Sequence, residues 1–241
     1  MNLQSYFEIK NGTAPIILSC PHGGFLKPKS IPDKLKGIKI ADKNKYLISK
    51  RIIKILKENY GVEIYYILSK IHRSKIDFNR PPRTFSAFNH NSIEAKVIHN
   101  TYHIYIKRFY QECVKNFNRC LFIDLHGFTK PHIDYPDIIF GNVFGNTLTL
   151  VRDSKAKPSK VFWGFSDIIN ELSKHFTLDD GLGLSDFNLS FSGGYITHQF
   201  YKKSKVNAFQ LEVAKYIREN INLTKKFIVA LILGIMHCLK I

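Results

Sequence analysis

Two histidines stand where apolar runs meet small or acidic residues. Pro21-His22-Gly23-Gly24 follows the run Ile16 to Cys20, and Asp124-Leu125-His126 continues the run Leu121 to Ile123. Imidazole is the commonest protein ligand for metals, and a pair of them at two strand ends suggests a zinc hydrolase. The period of two in a strand puts Asp124 and His126 on one face, with Leu125 on the other. Asp124 can therefore ligate in its own right or orient the neighbouring ring. Each histidine taken singly is more often a hydrogen-bonded structural residue. A catalytic zinc usually takes three protein ligands and leaves one position for water, so the pair needs a third partner.

Three further segments carry chemistry. Asp77-Phe78-Asn79-Arg80-Pro81-Pro82 sets an amide and a guanidinium before a rigid diproline. Arg80 offers a planar fork suited to a carboxylate, and Asn79 can donate to the same group or to an oxyanion. The alternative is a salt bridge that fixes the loop. Ser192-Gly193-Gly194-Tyr195-Ile196-Thr197-His198 has the small residues of a loop that closes over a ligand, or of a simple surface turn. Ala208-Phe209-Gln210-Leu211-Glu212-Val213 alternates, with Ala208, Gln210 and Glu212 on one face. Glu212 can take a proton from water near a metal, or serve as a structural ion-pair partner.

Alternating elements must position these groups. Strand-like runs occur at Ile16 to Ser19, Glu63 to Leu68, Leu121 to Asp124, Asp137 to Phe140 and Phe209 to Val213. Between them lie helical patterns at Lys43 to Glu58, Ser92 to Asn116, Ser166 to His175 and Lys225 to Cys238. Such alternation predicts an α/β sandwich, and open sheets of this class gather ligands at the carboxyl ends of their strands. The stretch 152–160 reads as a mobile surface loop.

Composition sets the outer limits. The chain has 241 residues and 44% hydrophobic content, enough for a full core in one domain spanning 1–241. The apolar stretch Phe227 to Leu239 reads as a buried C-terminal helix, too short for a membrane span, and no signal-peptide pattern opens the chain. Four cysteines without a C-x-x-C pair predict free thiols and a cytoplasmic location. Lys and Arg outnumber Asp and Glu by 36 to 19, a net +17, which raises a nucleic-acid-binding module as the rival to an enzyme. The basic residues are scattered, with no dense arginine block and no zinc-finger spacing. A positive field of this kind also collects a small anionic substrate.

Taken in order, these segments resemble the N-formylglutamate amidohydrolase family, whose members carry a Pro-His-x-Gly turn, an Asp-x-Asn-Arg-Pro segment, an Asp-x-His strand end, a Gly-Gly-Tyr-Ile-Thr-like loop and a Gln-Leu-Glu strand. The likeness runs from His22 to about Tyr216 and includes Tyr102-His103 and the run Tyr135 to Gly141. It implies a zinc-carboxypeptidase-like three-layer α/β/α sandwich with a mixed central sheet and one catalytic zinc. Carboxypeptidases place a carboxylate three residues after the first histidine, where this chain has Phe25. The family supplies an acid roughly twenty residues later, which matches Asp42. The implied ligands are His22, Asp42 and His126, with Asp124 and Asp77 as alternates. Asp42 has a rival role as the N-cap of the helix that follows it.

The resemblance further implies Glu212 as proton acceptor for the attacking water, with Arg80 and Asn79 holding a substrate carboxylate or an oxyanion. Gly193, Gly194, Tyr195 and His198 would border the substrate. Where the family carries an arginine after Ile-Thr, this chain has His198 followed by Gln199. Arginine there would favour a second carboxylate, so another N-acyl amino acid or a small peptide-like amide fits as well as N-formylglutamate. A deacylase or carboxypeptidase-like peptidase on the same scaffold is the nearest alternative.

Overall fold

A computed structural model describes residues 5–152 and 161–240. Strands form where β-branched and aromatic residues cluster: β1 (Phe7–Lys10), β2 (Ile16–Cys20), β3 (Tyr65–Ser69), β4 (Cys120–Phe128), β5 (Ile138–Gly141), β6 (Leu178–Asp179) and β7 (Val206–Ala214). They make one mixed sheet in the order β1-β3-β2-β4-β7-β5-β6. The centre, β3-β2-β4-β7, is parallel, while β1 joins β3 and β5 joins β7 antiparallel.

The helices are α1 (Lys45–Tyr60), α2 (Ile93–Phe117), α3 (Phe165–Leu172), α4 (Tyr195–His198), α5 (Lys215–Glu219) and α6 (Ile221–Leu239). Alternation along the strands sorts the sheet into two apolar faces. Leu18, Ile123, Leu125, Phe209 and Leu211 meet α1, α3 and α6 on one side. Ile17, Phe122 and Ala208 meet α2 and α4 on the other. The expected three-layer sandwich is therefore present.

Helix limits follow local chemistry. Ser92 caps α2 by accepting from the Ala95 N–H, and Asn118 ends it in the left-handed region at φ 57°. Helix α6 begins earlier than its apolar run suggests, because the Asn220 side chain accepts from the Asn222 and Leu223 N–H groups. At 19 residues it is long and apolar enough to cross a membrane by length and composition, which corrects the expectation that it is too short. Its Phe227, Leu231 and Ile235 are buried in the sheet core, as expected of a core helix. The stretch 153–160, expected to be a mobile loop, lies outside the described residues; Arg152 beside it donates to Asp167 at 2.7 Å.

The strand that carries His126 is longer than its apolar run. β4 continues through Phe128 because β7 pairs with it along its whole length, Cys120 against Val206 to Phe128 against Ala214. The same register sets Asp124 beside Gln210 and His126 beside Glu212. All four share the face that, further back, carries Phe122 and Ala208. Polar side chains thus occupy the carboxyl end of a sheet face whose other end is core.

Candidate metal centre

His22 follows β2 directly, and its turn needs two glycines for a different reason than backbone freedom. Neither Gly23 nor Gly24 has positive φ. A Cβ on Gly24 would lie 2.2 Å from the Lys70 backbone carbonyl carbon, so the chain passes too close to β3's exit for any side chain. From here the chain leaves the sheet and returns at Asp42, whose N–H donates to the His22 carbonyl at 2.9 Å. That bond closes the twenty-residue excursion and sets Asp42 against His22.

Three donors converge. His22 Nδ1 and His126 Nδ1 each lie 3.7 Å from Asp42 Oδ2, and His22, Asp42 and His126 present ligand atoms within 4.8 Å of one another. The two rings meet edge to face with centroids 4.7 Å apart. Donors spaced this way can share an ion about 2.0–2.2 Å from each.

The opposite ring nitrogens are anchored. His22 Nε2 lies 2.7 Å from Asp77 Oδ1, and His126 Nε2 lies 2.9 Å from Asp124 Oδ2. Each carboxylate accepts from Nε2–H, and in the neutral ring this leaves the Nδ1 lone pair facing Asp42, the arrangement in which a carboxylate fixes the tautomer of a metal-binding imidazole. His22 Nδ1 is buried with no hydrogen-bond partner, a costly orphan that an ion would satisfy. Two imidazoles and one carboxylate form a donor set suited to zinc. The residues fit such an ion, and Asp124 and Asp77 occupy orienting rather than ligating positions.

Asp42 does not cap α1. The N-cap there is Asn44, at φ 66° and with no side-chain cap bond, while Asp42 Oδ2 accepts from the Gly127 N–H at 3.0 Å. Burial opposes ionisation of Asp42, but the neighbouring His22 and His126 rings and the Arg73 guanidinium hold its carboxyl down to about 2. Burial likewise opposes the charge on Asp77, and His22, Arg73 and Lys34 keep it well below the usual range.

Arg73 and Lys34 had no signature in the sequence beyond being basic residues in loops. Arg73 Nε donates to Asp77 Oδ2 at 2.9 Å, and the fully buried Lys34 reaches the same oxygen at 3.3 Å. Buried charge with two cationic partners is the signal that identifies Asp77 as part of the centre.

Glu212 sits beside His126 on β7. Its Oε1 accepts from Gln210 Nε2 at 2.6 Å, and its Oε2 is buried without a partner. Burial, reinforced by the Asp42 charge, raises its carboxyl above the ordinary range, although His126, Lys45 and His22 pull the other way. Lys45 lies fully buried behind this group, its Nζ unpartnered, and burial with the Arg218 charge lowers it to about 7.

Asn79 is tied to protein rather than free for a ligand. Its Nδ2 donates to Gln210 Oε1 at 3.0 Å, and its Oδ1 accepts from the Ile196 N–H at 2.9 Å. Gln210 Oε1 also accepts from the Gly194 N–H at 2.9 Å. Asn79 and Gln210 thereby link the Gly194 segment to Glu212. A Cβ on Gly194 would lie 2.0 Å from Asn79 Nδ2, which explains the glycine.

These groups open onto a cavity of about 800 Å³, lined among others by His22, Asp42, Arg80, His126, Gly194 and Glu212. Arg80 is exposed, and its carbonyl is held by His99 Nε2 at 3.0 Å. Two expected substrate neighbours are placed elsewhere. Tyr195 and His198 do not line this cavity, whereas Gly193 and Gly194 do. The chain turns into α4 at Tyr195, whose ring faces His103 at 5.1 Å, and His198 is exposed. The segment is a short helix anchored by Asn79, so the expected closing loop ends at Gly194.

Replacing Asp124 by asparagine tests the orienting role. With zinc as the ion that the centre would hold, the Asp124→Asn chain should bind it about 10–100-fold more weakly, the usual cost of losing such a partner, as read by competition with a chromogenic chelator. Unchanged affinity would mean that Asp124 does not set the His126 ring.

Known proteins match in fold. The crystal structure of N-formylglutamate amidohydrolase from Ralstonia eutropha superposes with TM-score 0.63 at 14% identity, covering 94% of this chain and 96% of that one. A gene product of Agrobacterium tumefaciens superposes with TM-score 0.64 at 14% identity, covering 98% and 94%. At that identity the likeness is one of fold. No protein-family model and no curated protein sequence matches the chain.

Proposed function

We propose that the protein is a zinc-dependent amidohydrolase that cleaves the acyl C–N bond of an N-formyl or other N-acyl amino acid. The observation that carries this reading is the pairing of a three-donor centre with a base. Both imidazoles turn Nδ1 toward Asp42 Oδ2 at 3.7 Å, and Glu212 stands next to His126 in register with an unpartnered buried oxygen. The shared fold with the amidohydrolase from Ralstonia eutropha supports it.

His22, Asp42 and His126 would hold the ion. Zinc bound there supplies Lewis acidity that polarises an acyl carbonyl and acidifies water. Glu212 accepts the proton as water adds to the acyl carbon, then delivers it to the amide nitrogen as the C–N bond breaks, giving a carboxylic acid and a free amine. Gln210 holds Glu212 in place through Oε1, so the unpartnered Oε2 is the oxygen that moves the proton. Arg80, exposed at the cavity edge, binds the substrate carboxylate. Asn79 acts as a positioning residue through Gln210 and the Ile196 N–H.

A basic nucleic-acid-binding module would need neither a buried orphan imidazole nor a buried carboxylate without a partner, both of which cost stability. Four free, buried cysteines support the cytoplasm as its compartment. The test combines metal analysis with a panel of N-acyl amino acids. About one zinc per chain and amine release that a chelator abolishes and zinc restores are expected. Protein without zinc above background and without turnover on any member would overturn the reading.

A further inference from the structure

The walls of the cavity differ in how fully they are already engaged. Five cations line it: Lys43, Arg73, Arg80, Lys215 and Arg218. Three of these are bonded to protein groups. Arg73 binds Asp77, and Arg218 donates to the carbonyls of Val213, Lys43 and Phe128 at 2.7–3.1 Å. Lys43 pairs with Glu219 at 3.2 Å. Lys215 is exposed and has no acidic partner within ion-pair distance among the described residues. Arg80 has no acidic partner among the described residues. Arg80 therefore offers a free guanidinium fork to a carboxylate.

The apolar lining shows the opposite state. Ile38 is 56% exposed and Ile40 77% exposed, and both line the cavity just before Asp42. Neither belongs to the two apolar cores. Deeper in, Phe128 and Phe191 face each other at 5.2 Å, and the Tyr135 ring braces both at 5.9 and 6.4 Å. Tyr135 is itself fixed by donating to the Phe187 carbonyl at 2.7 Å. A preformed aromatic wall and two uncovered isoleucines at a cavity edge gain from covering by an apolar group.

On the amidohydrolase reading above, we infer that the site selects N-acyl amino acids bearing one apolar group, seated on Ile38, Ile40, Phe128 and Phe191 with the carboxylate on Arg80. The apolar group belongs either to the amino-acid side chain or to the acyl chain, since both present the same surface. N-formylglutamate would set a carboxylate where the lining presents Ile38, Ile40, Phe128 and Phe191. It ranks below an apolar substrate of similar size.

The experiment measures kcat/KM of the zinc-loaded protein for N-formyl-L-leucine, N-formyl-L-phenylalanine, N-hexanoylglycine, N-formylglycine and N-formyl-L-glutamate. At least one apolar substrate should exceed both N-formylglycine and N-formylglutamate by about tenfold or more, the scale of hydrophobic discrimination in pockets. Preference for the first two compounds places the group on the side chain, and preference for the third places it on the acyl chain. In the doubly substituted Ile38→Ser, Ile40→Ser chain, both exposed positions, the ratio of apolar substrate to N-formylglycine should fall several-fold. A best rate on N-formylglutamate, a flat ranking, or an apolar preference that the double variant leaves intact overturns the inference while the amidohydrolase reading stands. Absence of turnover on every compound by zinc-loaded protein overturns both.

Discussion

On the proposed amidohydrolase reading, Glu212→Gln protein should match the unsubstituted protein in zinc content and fold while losing about 10²–10⁴-fold in kcat, the usual contribution of a positioned general base. The reason lies in how the side chain is held. Gln210 Nε2 donates to Glu212 Oε1 at 2.6 Å, and a glutamine at 212 can still accept that bond through its own amide oxygen. Its NH₂ then takes the place of Oε2, which is buried and makes no hydrogen bond to the protein. Shape, burial and the Gln210 contact survive, and the ability to accept a proton does not. In barrier terms the loss is about 3–5.5 kcal/mol. Metal content and thermal midpoint serve as controls. Turnover near the unsubstituted rate would remove Glu212 from the chemistry and leave it as a structural carboxylate.

His126→Ala protein should lose both zinc and turnover. The ring supplies one of the three donors, with His22 and Asp42, and also engages Asp124 at 2.9 Å. Removing it leaves Asp124 fully buried with neither oxygen satisfied, since Oδ1 has no partner even with the ring present. Leaving one half of a buried ionic pair behind costs about 3–5 kcal/mol, so the thermal midpoint should fall as well. The two effects separate on inspection of metal stoichiometry. Zinc at background with a residual folded population assigns the loss to the centre, and zinc retained at one per chain with normal turnover would exclude His126 as a ligand. The comparison with Glu212→Gln is informative because neighbouring residues in one strand register give opposite metal readouts.

Much of this arrangement was legible in the chain. The alternation Ala208, Gln210, Glu212 is the face that meets Asp124 and His126, because parallel pairing of β4 with β7 preserves side-chain parity. His22 stands at the end of a fully buried strand, as its apolar run requires. Other placements depended on chain paths that no local pattern encodes. Asp42 reaches the centre through a segment without regular structure, held by one backbone bond to His22. Arg73 and Lys34 acquire their meaning only beside Asp77. Tyr195 and His198 read as lining for a ligand, yet anchoring of the Ile196 N–H by Asn79 turns the chain into α4 and directs Tyr195 to α2.

By itself the sequence determined the α/β alternation, the sheet faces and the two strand-end imidazoles, since these follow from periodicity of two and 3.6 and from where polar residues interrupt apolar runs, while the three layers and the third donor were implied by the family resemblance. Only the tertiary structure decided which carboxylate approaches the imidazoles and which ones orient them. Asp42, Asp77 and Asp124 are chemically the same group, and what separates them is which ring nitrogen each one meets: Nδ1 for Asp42, Nε2 for Asp77 and Asp124. That distinction is set by long-range backbone contacts, chiefly the Asp42 N–H on the His22 carbonyl and the Gly127 N–H on the Asp42 carboxylate. Such contacts join residues far apart in the chain, where sequence spacing carries no geometric information.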